Sequence, residues 1–394
     1  MLRTGELPKL PSLREAAPRI LRRRHNVDRA SATRLATAGE IMERHQGTGP
    51  GFDAMRLALA LTIFITHSFF VSQGDDLHLW HSPLRPLLVA LVPVFFAVSG
   101  FLVTGSAIRT GSVAVFLIFR ALRIVPALMT EVTLSALILG PLLTTLPLPE
   151  YFSSRAFFEY FGNIIGWVRF YLPGVFETNP MPYVNVNLWT LRPEFYSYAL
   201  MTAMMLTGLV AKRRALTICF CALFVALTLV NFFDPSLSEG TDAYRPNVPI
   251  YYFLLGALAF HWRHRIVLDV RLFAASLALA YAALRYPGYA YLAAIPAVYC
   301  MIYLAMLPLP RLALLEMGDY SYGIYLYGFP IQQSLLFAFP VFRQSWPMLF
   351  SAAAPITIAF AMLSWHWIER PALRLKHVIA PKLPALSAGL GRQA

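Results

Sequence analysis

Ten apolar segments, near residues 54–71, 87–107, 122–145, 190–210, 215–232, 249–262, 266–285, 289–308, 320–341 and 347–368, occupy most of this 394-residue chain. Hydrocarbon offers no partner for a peptide N–H or C=O, so a chain that crosses it must satisfy its backbone internally, as helices or a closed barrel. Runs near the roughly twenty residues that cross a bilayer fit helices; segment 249–262 alone is short and leans on its flanks. The chain is 58% hydrophobic and 13% charged, whereas soluble domains run near 25% charged. A water-soluble core of this size cannot hide so much apolar surface. The expected fold is an all-α integral membrane protein, a bundle of about ten transmembrane helices embedded in a lipid bilayer.

Loop charge sets the orientation, because Lys and Arg stay on the cytoplasmic side. Lys212, Arg213 and Arg214 follow the fourth segment, Arg263 and Arg265 the sixth, and Arg370, Arg374 and Lys376 the last. The intervening loops hold Asp75, Asp76, Glu150, Asp234, Glu239 and Asp242. Both termini are therefore expected in the cytoplasm. Residues 157–176 are aromatic enough to span but contain Glu159, Gly162, Arg169 and Pro173; a crossing there would invert every later loop, so a re-entrant or interfacial outer segment is expected. Residues 1–50 read as a flexible basic cytoplasmic tail whose Arg22, Arg23 and Arg24 can touch anionic lipid, without the apolar core of a signal peptide. Residues 51–376 form the membrane domain and 377–394 a second cytoplasmic tail. The net charge of +13 lies in topology clusters and lacks the patterning of a nucleic-acid module, so no nucleic-acid partner is expected. Cys219, Cys221 and Cys300 all fall inside apolar runs, as small core residues rather than a disulfide framework or a metal site.

Against this background the ionisable residues inside the spans stand out. His67 follows Arg56 by eleven positions, about 20° of rotation and about 16 Å of rise, so the two share a face. An intramembrane histidine is costly unless it is paired or functional; the plainer alternative is a hydrogen bond to a neighbouring helix. Ser99 and Gly100 read as small residues that let helices approach closely, since Ser99 lacks the adjacent base that a nucleophile needs. Arg120 and Arg123 share a face at the inner mouth of the third span, a pair that suits phosphate recognition or simple positive-inside anchoring. Glu131, eleven residues on, has no partner that the sequence names. Around the start of the fourth span, Trp189, Arg192, Glu194 and Tyr198 resemble either a polar-substrate site or an interfacial belt. Tyr320, Tyr322, Tyr325 and Tyr327 exceed the needs of one interface, and their hydroxyls are expected to line a cavity. Glu369 and Arg370 read as a charge pair where Pro371 stops the last helix.

Taken in order, FDAMRLALA with ITHS at 65–68, VFFAVSGFL at 94–102, FRALRIVPAL at 119–128, LWTLRPEFYSY at 188–198, GDYSYGIYLYGFP at 318–330 and WIERPALRLK at 367–376 resemble the acyltransferase 3 family of membrane-bound acyltransferases. The resemblance implies a ten-span bundle of the bacterial inner membrane, using acyl-CoA, usually acetyl-CoA, as donor substrate and no tightly bound cofactor. The acceptor it implies is a hydroxyl of a cell-surface or secreted carbohydrate or glycolipid. It places His67 at the family's catalytic histidine, Arg120 and Arg123 at the paired donor-site arginines, Glu194 at the glutamate of the W-x-L-x-x-E signature, and Tyr322 at the tyrosine of the S-Y-G motif. Many members carry His where this chain has Gly328, which leaves the proton chemistry here to His67.

The mechanism that follows is O-acylation. Arg56, Arg120 and Arg123 hold the donor phosphates, and His67 as general base takes the proton from the attacking hydroxyl, or carries the acyl group itself. Glu194 is the second catalytic candidate, and Trp189, Arg192, Tyr198, Tyr322 and Tyr325 are expected to contact substrate. The rival class is a proton-coupled multi-span transporter, which also buries His, Glu and Arg, although no paired broken helices in two halves mark this chain as one.

Overall fold

The computed structural model describes residues 35–45, 47–74, 77–234, 247–308 and 318–379. Among these residues the fold is all helical, with two isolated β-bridges and no strand. The long helices are α1 (Ala38–Arg44), α2 (Phe52–Gln73), α3 (Arg85–Thr110), α4 (Val113–Leu134), α5 (Leu191–Leu206), α6 (Arg213–Phe233), α7 (Asn247–Trp262), α8 (Val270–Leu284), α9 (Ala290–Ala305), α10 (Ser321–Ala338), α11 (Trp346–Ser364) and α12 (Arg370–Ile379). Every apolar segment of the sequence holds one of these helices. Five are long and apolar enough to cross a membrane: α2, α3, α4 extended to Leu143, α6 as far as Val230, and α11 continued to Lys376. The chain is thus a helical membrane protein.

Two boundaries differ from expectation. Helix α4 begins at Val113, with Ser112 as its cap, nine residues before the expected start at 122, so Arg120 and Arg123 sit two to three turns inside it. A hydropathy reading discounts a stretch with two arginines, yet Arg123 is compensated by the carboxylates described below. The last helix does not stop at Pro371 either. It passes through a π turn, Trp365–Glu369, and continues as α12. A wider turn tolerates the missing N–H of a proline, and such turns re-aim side chains. Here Glu369 points inward and is buried, while Arg370 is exposed. The expected Glu369–Arg370 pair is replaced by a bond between Glu369 and α4.

Part of the expected tail is also folded. Thr37 and Glu40 form a capping box at α1, with Thr37 N–H donating to Glu40 Oε2 at 2.9 Å and Glu40 N–H to Thr37 Oγ1 at 3.3 Å. Ala38 and Gly39 donate to the carbonyls of Ile266 and Arg263, and a side chain at Gly39 would collide with the His264 ring. The Arg22–Arg24 cluster lies outside the described residues.

The centre of the bundle is the crossing of α3 and α7. Gly100 and Gly256 face each other there: a Cβ on Gly100 would strike the carbonyl of Phe253, and one on Gly256 the carbonyl of Ala97. Backbone-to-backbone approach of this kind replaces the hydrophobic drive that lipid cannot supply. Short α7 is accordingly buried along most of its length, from Tyr251 to Phe260. Gly100→Leu or Gly256→Leu is expected to cost at least about 1–3 kcal/mol, the range of ordinary overpacking, and to abolish monodisperse elution after detergent extraction.

Residues 144–190 contain only short turns, Leu148–Ser153, Arg155–Tyr160, Phe161–Ile165 and Val186–Thr190, so no helix within 157–176 is long enough to cross. Side chains hold this segment instead. Glu159 accepts from Arg155 Nε at 2.6 Å and Arg169 Nε at 2.9 Å, and Asn163 brackets Arg169 through both its amide oxygen and its amide nitrogen.

Candidate active site

A cavity of about 350 Å³ opens between α2, α3, α4, α5, α7, α10 and α12. Its apolar wall comes from Ile63, Val92, Phe95, Phe96, Leu102 and Phe253. Its polar lining has two adjoining ends, within Coulombic reach of each other: Glu194 interacts with Arg123, Arg120 and Arg56. At the end nearest the start of α2 stand Arg56, Arg120, Arg123, Asp319 and Lys376; towards α5 stand Thr190, Glu194, Ser197, Tyr198 and Tyr325.

The first end is an ion-pair lattice. Asp319 lies just before α10, where its Oδ1 accepts from the Ser321 hydroxyl at 2.5 Å and from the Ser321 N–H at 3.3 Å. Its Oδ2 accepts from Arg56 Nη1 and Arg123 Nη2, each at 2.6 Å. Arg123 also donates Nη1 to Glu369 Oε2 at 3.3 Å, and Glu369 Oε1 accepts from the Ser364 hydroxyl at 3.1 Å. Tyr322 lies under the Arg123 guanidinium, 5.7 Å from it, and donates its hydroxyl to the Ile124 carbonyl. Helices α2, α4 and α10 and the π turn are thereby tied at one point.

The second end is organised by α10. Pro330 has no N–H, so the Leu326 carbonyl four residues earlier loses its helical partner. Asn185 Nδ2 supplies the replacement at 2.9 Å, and Asn187 Nδ2 donates to the neighbouring Tyr325 carbonyl at 2.5 Å. This clamp sets the turn Val186–Thr190 against α10. The Tyr325 hydroxyl donates to the Asn187 carbonyl at 2.9 Å and sits 2.7 Å from Thr190 Oγ1. One turn into α5, the Tyr198 hydroxyl donates to Glu194 Oε1 at 2.7 Å. Glu131, for which the sequence named no partner, accepts from Asn185 Nδ2 at 2.9 Å and from Ser135 at 3.0 Å. It orients the clamp from behind rather than facing the cavity. Asn185→Ala leaves the Leu326 carbonyl and the Glu131 carboxyl short of a buried donor and is expected to cost about 1–3 kcal/mol, read as a lower unfolding midpoint, with Asn185→Asp at least as damaging.

Arg56, Arg120, Arg123, Glu194, Tyr198, Tyr322 and Tyr325 therefore meet at one cavity. The tyrosine run divides by helical period: Tyr322 and Tyr325 line the cavity, whereas Tyr327 turns its hydroxyl to Ser364 and Tyr320 packs beside His366. Ser99 faces the cavity and Gly100 the α7 crossing. Three expected residues stand apart. Arg192 is exposed and Trp189 is half-buried, neither on the cavity wall. His67 lies one turn beyond Ile63 on the same face of α2. Its ring meets Phe329 edge-on with centroids 5.4 Å apart, and no group among the described residues hydrogen-bonds to it. Sequence reasoning missed Asp319 and Lys376 as cavity residues and Glu369 as the buried partner of Arg123. The available signal was a charge balance: arginines held inside spans require carboxylates somewhere within reach.

A bundle of apolar helices around a polar, ion-paired cavity defines a membrane protein with a chemical or binding site inside its helical domain. The chain matches the acyltransferase domain model of the acyltransferase 3 family over residues 50–366, and it belongs to that family. It is 28% identical over 340 residues to an O-acetyl transferase of Shigella phage Sf6, covering 81% of this chain and 94% of the relative. It is 27% identical over 371 residues to Nodulation protein 10 of Rhizobium leguminosarum bv. viciae, covering 86% of this chain and 97% of the relative. No solved structure matches it. The protein is an acyltransferase, and family membership decides against the carrier reading.

Proposed function

We propose that this protein is a bacterial inner-membrane O-acetyltransferase that moves an acetyl group from acetyl-CoA on the cytoplasmic side to a hydroxyl of a cell-surface or secreted carbohydrate. In this reading the ten helical segments all cross the bilayer and both termini are cytoplasmic. The observation that carries it is the lining of the cavity: cations suited to a phosphorylated donor, a carboxylate and hydroxyls beside them suited to a polar acceptor, and an apolar wall for the acyl arm. Like many ligand pockets, it joins an apolar lining to a few placed polar groups. The name of one relative, an O-acetyl transferase, is consistent with O-acyl transfer.

The reaction is a transesterification. The acceptor oxygen forms a bond to the thioester carbonyl carbon, the carbon–sulfur bond breaks, and the proton passes from the hydroxyl through the base to the leaving thiolate. His67 is the proposed base, supported by its free ring nitrogens, which no protein group engages. A second reading gives that role to Glu194, because Glu194 lines the cavity and His67 stands one turn above it. Membrane vesicles carrying the protein, supplied with radiolabelled acetyl-CoA and then extracted for surface glycans, test the function as a whole. Label in the glycan fraction, absent from vesicles without the protein, is the expected result; label that crosses unchanged into the lumen would refute transfer.

A further inference from the structure

Four cations face the cavity, and the structure distributes their partners unevenly. Arg56 and Arg123 are both taken by Asp319 at 2.6 Å, and Arg123 by Glu369 as well. Arg120 and Lys376 have no ion pair among the described residues. The Nε of Arg120 is buried without a hydrogen-bond partner. Each of the two instead rides over an aromatic ring of α4, Arg120 over Phe116 at 5.9 Å and Lys376 over Phe119 at 5.4 Å. Helix α12, which carries Lys376, packs directly on α4. Two like charges are thus held on one wall of the cavity without an ion pair, offset by ring faces and, for Arg120, by Glu194 at longer range. Ring contacts of this kind offset about 0.5–2 kcal/mol each, less than a buried cation requires.

We propose that Lys376 and Arg120 form the anion subsite of the cavity, taking a phosphate of the thioester donor, while Arg56 and Arg123 serve as structural cations committed to Asp319 and Glu369. This rests on the acyl-CoA reading above and divides the paired arginines of α4 by role: Arg123 holds the bundle together and Arg120 meets the ligand. Lys contributes a point charge and Arg a planar fork, a combination that suits a phosphate approached from two sides. The apolar wall beyond them then receives the phosphate-free arm and its acyl group.

The test is binding of two probes, coenzyme A and pantetheine, which shares the thiol arm but carries no phosphate, to the full chain in lipid nanodiscs. Lys376→Met and Arg120→Met are each expected to raise the dissociation constant for coenzyme A about ten- to a hundredfold, the worth of one charge-assisted hydrogen bond, and to leave that for pantetheine unchanged. Lys376→Arg should restore most of the loss, and Arg374→Met, exposed and off the cavity, should bind both probes like the parent. Equal loss of both probes in Lys376→Met would mean general damage to the cavity and would overturn the subsite. So would unchanged coenzyme A binding, including the case in which these cations hold a lipid phosphate instead. If the parent chain binds neither probe, the donor assignment itself fails, and the subsite with it.

Discussion

His67→Gln is expected to lower acetyl transfer by about 10²–10⁴, the usual worth of general-base help, with coenzyme A binding and thermal stability unchanged. Stability should hold because no protein hydrogen bond is lost: among the described residues the ring meets Phe329 edge-on and makes no hydrogen bond. The variant therefore isolates chemistry from folding, which is rare for a histidine inside a bundle. Geometry makes a further demand. His67 lies four residues past Ile63, about 6 Å along the helix axis, so the acyl carbon must meet the acceptor hydroxyl one turn beyond the cavity wall. The companion variant is Glu194→Gln, which keeps an acceptor for the Tyr198 hydroxyl and removes only the charge. If transfer survives in His67→Gln and collapses in Glu194→Gln, the base is the glutamate and the reaction takes place inside the cavity. If both collapse, hydroxylamine-sensitive label on the protein, sought in Glu194→Gln, distinguishes an acyl-histidine from direct transfer.

The helices were legible in the sequence because each is a local property: an apolar run long enough to satisfy its own backbone needs nothing beyond itself. What the sequence hid are relations between runs. Arg123 was visible as an arginine on a helical face, but its carboxylates lie 196 and 246 residues further on. Asp319 stood only as one letter of the motif at 318–330, and Glu369 looked like the partner of Arg370, until the π turn separated those two by sending Glu369 inward. Glu131 shows the same limit from the other side: its polar partner Asn185 sits in a connecting turn whose purpose, filling the carbonyl freed by Pro330, appears only when α10 and that turn are brought together. His67 stood out as an ionisable residue inside a span, yet a helical wheel gives its face and not its height relative to a cavity closed by six other helices.

Arg123→Met is expected to destabilise the protein more than Arg56→Met, and by several kcal/mol, although both remove one guanidinium from the same carboxylate. The difference lies in what each change leaves behind. Without Arg56, Asp319 keeps Arg123 and the Ser321 hydroxyl. Without Arg123, Asp319 keeps Arg56, but Glu369, only 2% exposed, retains nothing except the Ser364 hydroxyl. Leaving one member of a buried pair without its partner costs about 3–5 kcal/mol; Arg56 and Asp319 are about one-fifth exposed, which places Arg56→Met below that range. The same logic predicts a rescue. Arg123→Met with Glu369→Gln removes both charges and keeps an acceptor for Ser364, so it should recover part of what Arg123→Met loses, with a coupling energy in the 0.5–3 kcal/mol range found for residues in contact. Unfolding of the detergent-solubilised chain, followed by loss of monodispersity on heating, reads all three variants. Equal midpoints for Arg123→Met and Arg56→Met would mean that Glu369 is neutral in the folded protein, and that the lattice is held by Asp319 alone.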